Sequence, residues 1–189
     1  MALKTKVKAG NITNLSDARY CAGMGVDWLS FPIDSVNPTT FKEITDWVTG
    51  PQFIIELDKP ESIGNISQYP VDTVEISFLY VNLIDQFPGL NCVVTLPLSK
   101  WSSEKNNLLK HKARINYLLI NPDQNDSQLI GEITSHFHVL IHQTESHSLD
   151  ELLTLPIEGI NVTGQDELRP GLKDFEKLAS VLEELEVID

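Results

Sequence analysis

Eight short apolar or alternating runs, each bounded by turn residues, recur along the whole chain, at residues 4–9, 27–32, 52–58, 72–78, 91–96, 115–121, 137–142 and 157–163. Between them lie stretches that read as helix rather than strand. A chain that alternates strand and helix in this way builds parallel strands joined by right-handed crossovers, so the choice narrows to an open doubly wound sheet or a closed barrel. Eight units favour closure. Spacing of about 24 residues per unit leaves room only for strand, helix and tight connections. At 189 residues the chain is short for an eightfold barrel, which typically runs to about 250. The expectation is therefore an α/β chain, residues 1–189 forming a single (β/α)8 TIM barrel of minimal length with short loops, and no linker or second domain.

The helix starts carry the expected chemistry. Ser16 stands before A-R-Y-C-A-G-M as a cap, Pro38 opens T-T-F-K-E-I-T-D-W-V, Asp126 precedes Q-L-I-G-E-I, and Asp174 opens F-E-K-L-A-S-V-L-E-E-L. Asp17 reads as a first-turn helix charge. Trp28, Trp47 and Trp101 read as packing residues of the second strand, the second helix and the fifth helix.

Charge restricts the partners. The net charge is −13, and the basic residues are scattered, with the densest group only Lys4, Lys6 and Lys8, which argues against nucleic acid. No stretch approaches the ~18 apolar residues of a membrane span, and M-A-L-K-T-K-V-K lacks the apolar core of a secretory signal, so a cytoplasmic protein with no membrane partner is expected. Cys21 and Cys92 are isolated and read as buried small hydrophobes. No metal or cofactor motif is present, and none is expected.

Strand parity singles out the polar positions that face the barrel interior or its mouth: Lys8, Glu56, Asp58, Glu75, Ser77, Thr95, His142 and Asn161. Buried ionisable groups are costly unless paired, so Lys8 with Glu56 and Glu75 reads first as an internal charge-compensated network. The alternative reading makes Glu56, Glu75 and His142 metal ligands or an acid/base set. His136, His138 and His142 suggest a metal cluster until parity is applied, when His136 falls at the lower end, far from the mouth.

Two sequence motifs add a resemblance. V-K-A-G-N-I-T-N-L-S-D-A (residues 7–18) is similar to V-K-I-C-G-I-T-N-x-x-D-A, the first strand and loop of the phosphoribosylanthranilate isomerase family, and the match continues into G-V-D-W-L-S-F (25–31). G-I-N-V-T-G-Q-D-E-L-R-P-G-L-K-D (159–174) resembles the family's G-V-D-V-S-S-G-V-E…P-G-x-K-D at the far end. The resemblance implies a barrel that performs an Amadori rearrangement in tryptophan biosynthesis, with a cysteine on strand one as general base and an aspartate on strand eight as general acid.

The catalytic positions depart from that pattern. Gly10 stands at the cysteine position, Asn11 at the glycine after it, and Asn161 at the aspartate position, where an amide relays no proton. Each such group typically contributes about 10² to 10⁴ in rate. The glycine-rich phosphate loops are replaced by L-L-I-N-P-D-Q-N-D-S (118–127) and V-L-I-H-Q-T-E-S-H (139–147), which bring Asp123, Asp126 and Glu145 where a phosphate would sit. The arginine expected after strand two gives way to I-D-S-V-N-P (33–38).

The expectation is an isomerase homologue that is inactive or strongly impaired, with Lys8, Asn11, Glu56, Asp58, Glu75, Ser77, His142 and Thr163 as a polar set at the mouth or in the interior. A small molecule or a protein would be its ligand there. The alternatives are an active isomerase with relocated groups at Asp58, Glu75 or His142, and an enzyme of new chemistry at the barrel mouth.

Overall fold

In the computed structural model, which describes residues 2–123, 126–144, 147–163 and 176–187, eight parallel strands close into a barrel in sequence order. They are β1 (Lys6–Gly10), β2 (Trp28–Pro32), β3 (Gln52–Leu57), β4 (Thr73–Ser77), β5 (Asn91–Pro97), β6 (Ile115–Asn121), β7 (Val139–His142) and β8 (Gly159–Thr163). The seam is made by β8 against β1, in register from Lys6 opposite Gly159 to Gly10 opposite Thr163. Gly159 permits that approach, because a Cβ there would lie 2.3 Å from the Lys6 carbonyl oxygen. A bridge between Leu3 and Glu186, with Lys4 N–H donating to Leu185 O at 2.9 Å, ties the amino terminus to the end of the chain.

Among the described residues, six α-helices pack outside: α1 (Leu15–Gly23), α2 (Pro38–Thr45), α3 (Trp101–Lys110), α4 (Ser127–Thr134), α5 (Leu149–Leu153) and α6 (Glu176–Glu184). Pro38 opens α2 and Asp126 caps α4 as the sequence leads one to expect. The cap of α1 is Asn14, not Ser16; Asn14 is the residue with extended backbone, and its side chain accepts from Asp17 N–H. Asp17 lies in that first turn but is buried rather than exposed. Asp174 lies outside the described residues.

The regular strand–helix rhythm fails in the third and fourth units, where 3₁₀ segments, Pro60–Gln68 and Phe78–Gln86, replace α-helices. P-E-S-I-G-N-I-S-Q is rich in residues that compete with or weaken helix, and F-L-Y-V-N-L-I-D-Q is rich in aromatic and β-branched ones. Short 3₁₀ turns suit a chain with few residues to spend per crossover.

Apolar packing falls into two bodies. The larger lies between strands and the outer elements, around residues such as Phe31, Phe41, Val74, Leu96, Trp101 and Leu182. The smaller fills the barrel itself with Trp28, Ile54, Val93, Leu119 and Leu140, and Tyr117 packs against it. Trp28 and Trp101 are thus packing residues, but Trp47, just beyond α2, is 74% exposed. Cys21 and Cys92 are both buried, and burial pushes the Cys92 thiol up to about 11, which leaves it inert. No helix among the described residues is long and apolar enough to cross a membrane.

Candidate functional site

Side chains alternate along a strand, so while Val7 and Ala9 pack outward, Lys8 points into the barrel, where it is 1% exposed. An ammonium there has three N–H donors and needs three acceptors. It finds Glu75 Oε2 at 2.7 Å, Asn161 Oδ1 at 3.0 Å and Glu56 Oε1 at 3.6 Å. Both carboxylates are held from behind. Glu56 accepts from Ser30 Oγ in a very short contact and from Asn11 N–H at 3.2 Å, and Glu75 accepts from Thr95 Oγ1 at 3.2 Å.

Burial alone would lower the affinity of Lys8 for its proton, but the Glu75 and Glu56 charges and hydrogen bonds overcome it, and its pKa lies above the ordinary lysine value. Glu75 is pushed up, first by burial and further by Glu56, against the pull of Lys8. Held as ammonium between two carboxylates, Lys8 is a poor nucleophile.

The network continues across the seam. Because Asn161 Oδ1 accepts from Lys8, its amide orientation is fixed and Nδ2 faces His142 Nδ1 at 2.7 Å as donor. His142 Nδ1 is then the acceptor, which places the ring in its neutral form with the proton on Nε2. Asn161 Nδ2 also reaches Thr163 Oγ1 at 3.3 Å. A connected set of hydrogen bonds and one ion pair, that of Glu56 with Lys8, thereby runs from Ser30 on β2, through Glu56, Lys8 and Asn161, to His142 on β7.

Gly10 is part of this arrangement rather than a simple gap. A Cβ at that position would meet Glu56 Oε1 at 3.1 Å, Lys8 Nζ at 3.3 Å and Ser30 Oγ at 3.4 Å. The network occupies the space a longer side chain would need. Asn11 follows with φ of 57°, a left-handed conformation that asparagine tolerates and that the resembling family fills with glycine.

Above the network the barrel opens in two adjoining cavities at the carboxyl end of the strands. One, of about 210 Å3, is lined by Lys8, Asn11, Glu75, His142, Asn161 and Thr163. The other, of about 280 Å3, is bordered by Asp58, Ser77 and Phe78, and the two share Glu56, Glu75, Thr95 and Asn121. The polar set expected from strand parity is therefore brought together at the mouth. Asp58 is pushed above the usual carboxylate range, by burial first and then by Glu56 and Asp34, with Lys59 opposing. Parity reading passed over two members, Ser30 and Asn121. Counting inward from Trp28 along β2 identifies Ser30, and from Leu119 along β6 identifies Asn121.

Other expected features are placed elsewhere. Asp123 is engaged by Ser99, whose N–H donates at 2.9 Å, and Asp126 is used in capping α4. Glu145 lies outside the described residues, as does the motif segment 164–174. Asp34, at the arginine segment, pairs with Lys59 at 2.6 Å. The three histidines are dispersed: His136 lies beside the Trp101 ring, His138 binds Glu158 at 2.8 Å, and His142 sits at the mouth. Among the described residues no three His, Cys, Asp or Glu side chains are grouped to hold a metal ion.

No protein-family model matches the chain. No curated protein matches it in sequence. Solved structures do match in fold. A phosphoribosylanthranilate isomerase in complex with reduced 1-(o-carboxyphenylamino)-1-deoxyribulose 5-phosphate superposes with a TM-score of 0.71 at 17% identity, over 95% of this chain and 97% of that one. Monomers of the dimeric isomerase from Thermotoga maritima give 0.70 at 17% identity, over 90% and 92%. The N-terminal domain of a putative aldolase from Bacteroides vulgatus gives 0.67 at 15% identity, over 97% and 82%. At these identities the likeness establishes the fold, a (β/α)8 barrel of the kind used by the isomerase and by aldolases.

Proposed function

We propose that this barrel is a divergent relative of phosphoribosylanthranilate isomerase that binds a small hydroxylated or cationic ligand at its carboxyl-end mouth and does not catalyse the isomerisation. The observation that carries this reading is the commitment of Lys8: its buried ammonium donates to Asn161 and forms ion pairs with Glu75 at 2.7 Å and Glu56 at 3.6 Å. The buried cation at the mouth is thus occupied within the protein and does not serve an incoming phosphate. With Glu56, Glu75 and Asp58 around one ammonium, the mouth carries excess negative charge, which repels a dianion and favours hydroxyl donors or an amine. The family's acid and base positions, here Asn161 and Gly10, adjoin this same network, which takes up their space and their hydrogen bonds.

The test is consumption of phosphoribosylanthranilate by the purified chain, followed by the loss of anthranilate-type fluorescence, together with growth of an isomerase-deficient strain without tryptophan. The expected result is a rate at the uncatalysed level and no growth. A rate near that of an ordinary isomerase overturns the proposal. A second reading, acid/base chemistry centred on His142, draws on the Asn161 contact that fixes its tautomer. It predicts that His142→Gln abolishes turnover of whatever substrate is found while leaving the fold intact.

A further inference from the structure

A further cavity, larger than the two at the mouth, lies away from them. It lies at the opposite, amino-terminal end of the barrel, encloses about 650 Å3, and falls in the size range of small-molecule sites. Its floor is the apolar filling of the barrel, Ile54, Val93 and Leu140. Its walls carry Trp28, Gln52, Thr73, Asn91, Asn116 and Tyr117.

These walls are polar without being strongly charged. Trp28 donates its indole N–H to Gln52 Oε1 at 3.2 Å, which fixes the ring and leaves the Gln52 amide nitrogen available. Asn116 uses its carbonyl oxygen on Cys92 N–H at 3.1 Å, at the register shift between β5 and β6, and so presents its NH2. The Thr73 hydroxyl, although its residue is only 8% exposed, has no hydrogen-bond partner among the described residues, and neither do the Tyr117 hydroxyl and the Asn91 amide. Two charged residues also line the cavity: Lys6 pairs with Glu158 at 3.3 Å and lies 6.0 Å from the centre of the Trp28 ring, and Asp27 accepts from Val7 N–H at 2.8 Å.

An apolar floor, a fixed indole, and a ring of uncharged donors and acceptors match one ligand chemistry. Gln52, Asn91 and Asn116 are open to solvent, and with Thr73 and Tyr117 they turn donors and acceptors toward one space, where a polar ring can engage several of them at once. We infer that the amino-terminal cavity is a binding site for an uncharged ring-shaped ligand bearing several hydrogen-bonding groups, a neutral sugar or the base of a nucleoside. This site is separate from the mouth, and its test does not depend on the function proposed there.

The experiment is titration of the whole protein with D-ribose, D-glucose and D-galactose in one arm and adenosine and uridine in the other, up to tens of millimolar. The readout is the indole N–H resonance of Trp28 in ¹⁵N-correlated spectra. Saturable movement of that resonance in either arm is the expected result, and the arm that responds identifies the ligand chemistry. Thr73→Val removes one cavity-facing hydroxyl at constant volume and is expected to weaken binding about tenfold. Asn91→Trp fills the entrance and is expected to abolish it. Both variants should leave the His142 ring resonances unchanged. Absence of Trp28 movement in both arms overturns the inference, and so does wild-type affinity in both variants.

Discussion

The two halves of the barrel interior are built on opposite physical terms. Toward the amino end, β2, β3, β5, β6 and β7 contribute Trp28, Ile54, Val93, Leu119 and Leu140, each at most 9% exposed and held by dispersion and exclusion of water. One inward position further along the strands, Ser30, Glu56, Thr95 and His142 take over from them and meet Lys8, Glu75 and Asn161. The lower layer requires volume and little else, so single changes cost in proportion to the atoms removed. The upper layer requires partners: its members are tolerable in a low-dielectric space only because each completes another, and its response to single changes is close to all-or-none.

The sharpest way to break the contrast is Lys8→Met. Removing the ammonium leaves Glu56 and Glu75 facing each other without compensation, and loss of one partner from a buried ion cluster typically costs about 3–5 kcal/mol. The combined variant Lys8→Met, Glu56→Gln and Glu75→Gln removes every charge at once and should recover most of that loss. Urea unfolding of the two proteins decides the matter; similar stabilities for both would mean that the network is not electrostatically closed.

Leu140→Ala probes the other half. It opens a hole in the apolar layer, and the loss should be about 3 kcal/mol, within the range for buried leucine truncation. Unlike the Lys8 effect, it has no charge-neutralising rescue. A partial rescue by Glu75→Gln would show that the two layers are coupled, against the separation drawn here.

Gly10→Ala follows with a smaller effect. Its Cβ meets only the ends of flexible side chains, Glu56 Oε1, Lys8 Nζ and Ser30 Oγ, so the network must shift by tenths of an ångström and the cost should be about 1 kcal/mol. Gly10→Cys with Asn161→Asp introduces a thiol and a carboxyl at those two positions at a further cost in stability, and on the proposed function no isomerase turnover is expected, because residues 118–127 and 139–147 contain no glycine to cradle a phosphate. Turnover by that double variant would place the loss of function in the two catalytic positions alone.

This contrast also sets what the sequence could disclose. Period-two alternation located all eight strands to within about two residues, since each has one face on the outer elements and one on the interior. β7 begins at Val139 rather than near residue 137, because Phe137 packs against Trp101 and His138 turns to Glu158. Parity also gathered Lys8, Glu56, Glu75, His142 and Asn161, as inward-facing residues at one height of a closed sheet are forced together. Parity does not reveal which carboxylate takes the shorter bond to Lys8, nor that Ser30 completes the other. Those depend on strand stagger, which local pattern does not encode. The amino-terminal cavity was equally hidden: Gln52, Thr73, Asn91 and Asn116 stand at strand starts, where polar residues are ordinary, and only closure of the barrel turns them toward one space. The choice of Asn14 over Ser16 as a cap rests on a backbone torsion that both residue types accept.

The smallest effect distinguishes the two ends by sign. At the mouth, Asp58 titrates above its ordinary value because of burial and the neighbouring Glu56 and Asp34 charges; near the amino end, Glu158 titrates below its own because His138 and Lys6 hydrogen-bond to it. A raised carboxylate favours the folded state when protonated, so its contribution is present at low pH and is lost as pH climbs from the unfolded value through the folded one. A lowered carboxylate does the reverse: its contribution is present above the unfolded value and disappears as pH falls through the folded one. Asp58→Asn should therefore raise the melting temperature at neutral pH, with the gain vanishing toward pH ~3, below the ordinary carboxylate range. Glu158→Gln should lower it at neutral pH, with that loss also vanishing in acid. Each difference should stay below about 1 kcal/mol, because solvent screens both groups. Melting curves of the two variants across this range should diverge from the wild type in opposite directions; shifts of the same sign would mean that the mouth does not carry the excess negative charge on which its ligand preference rests.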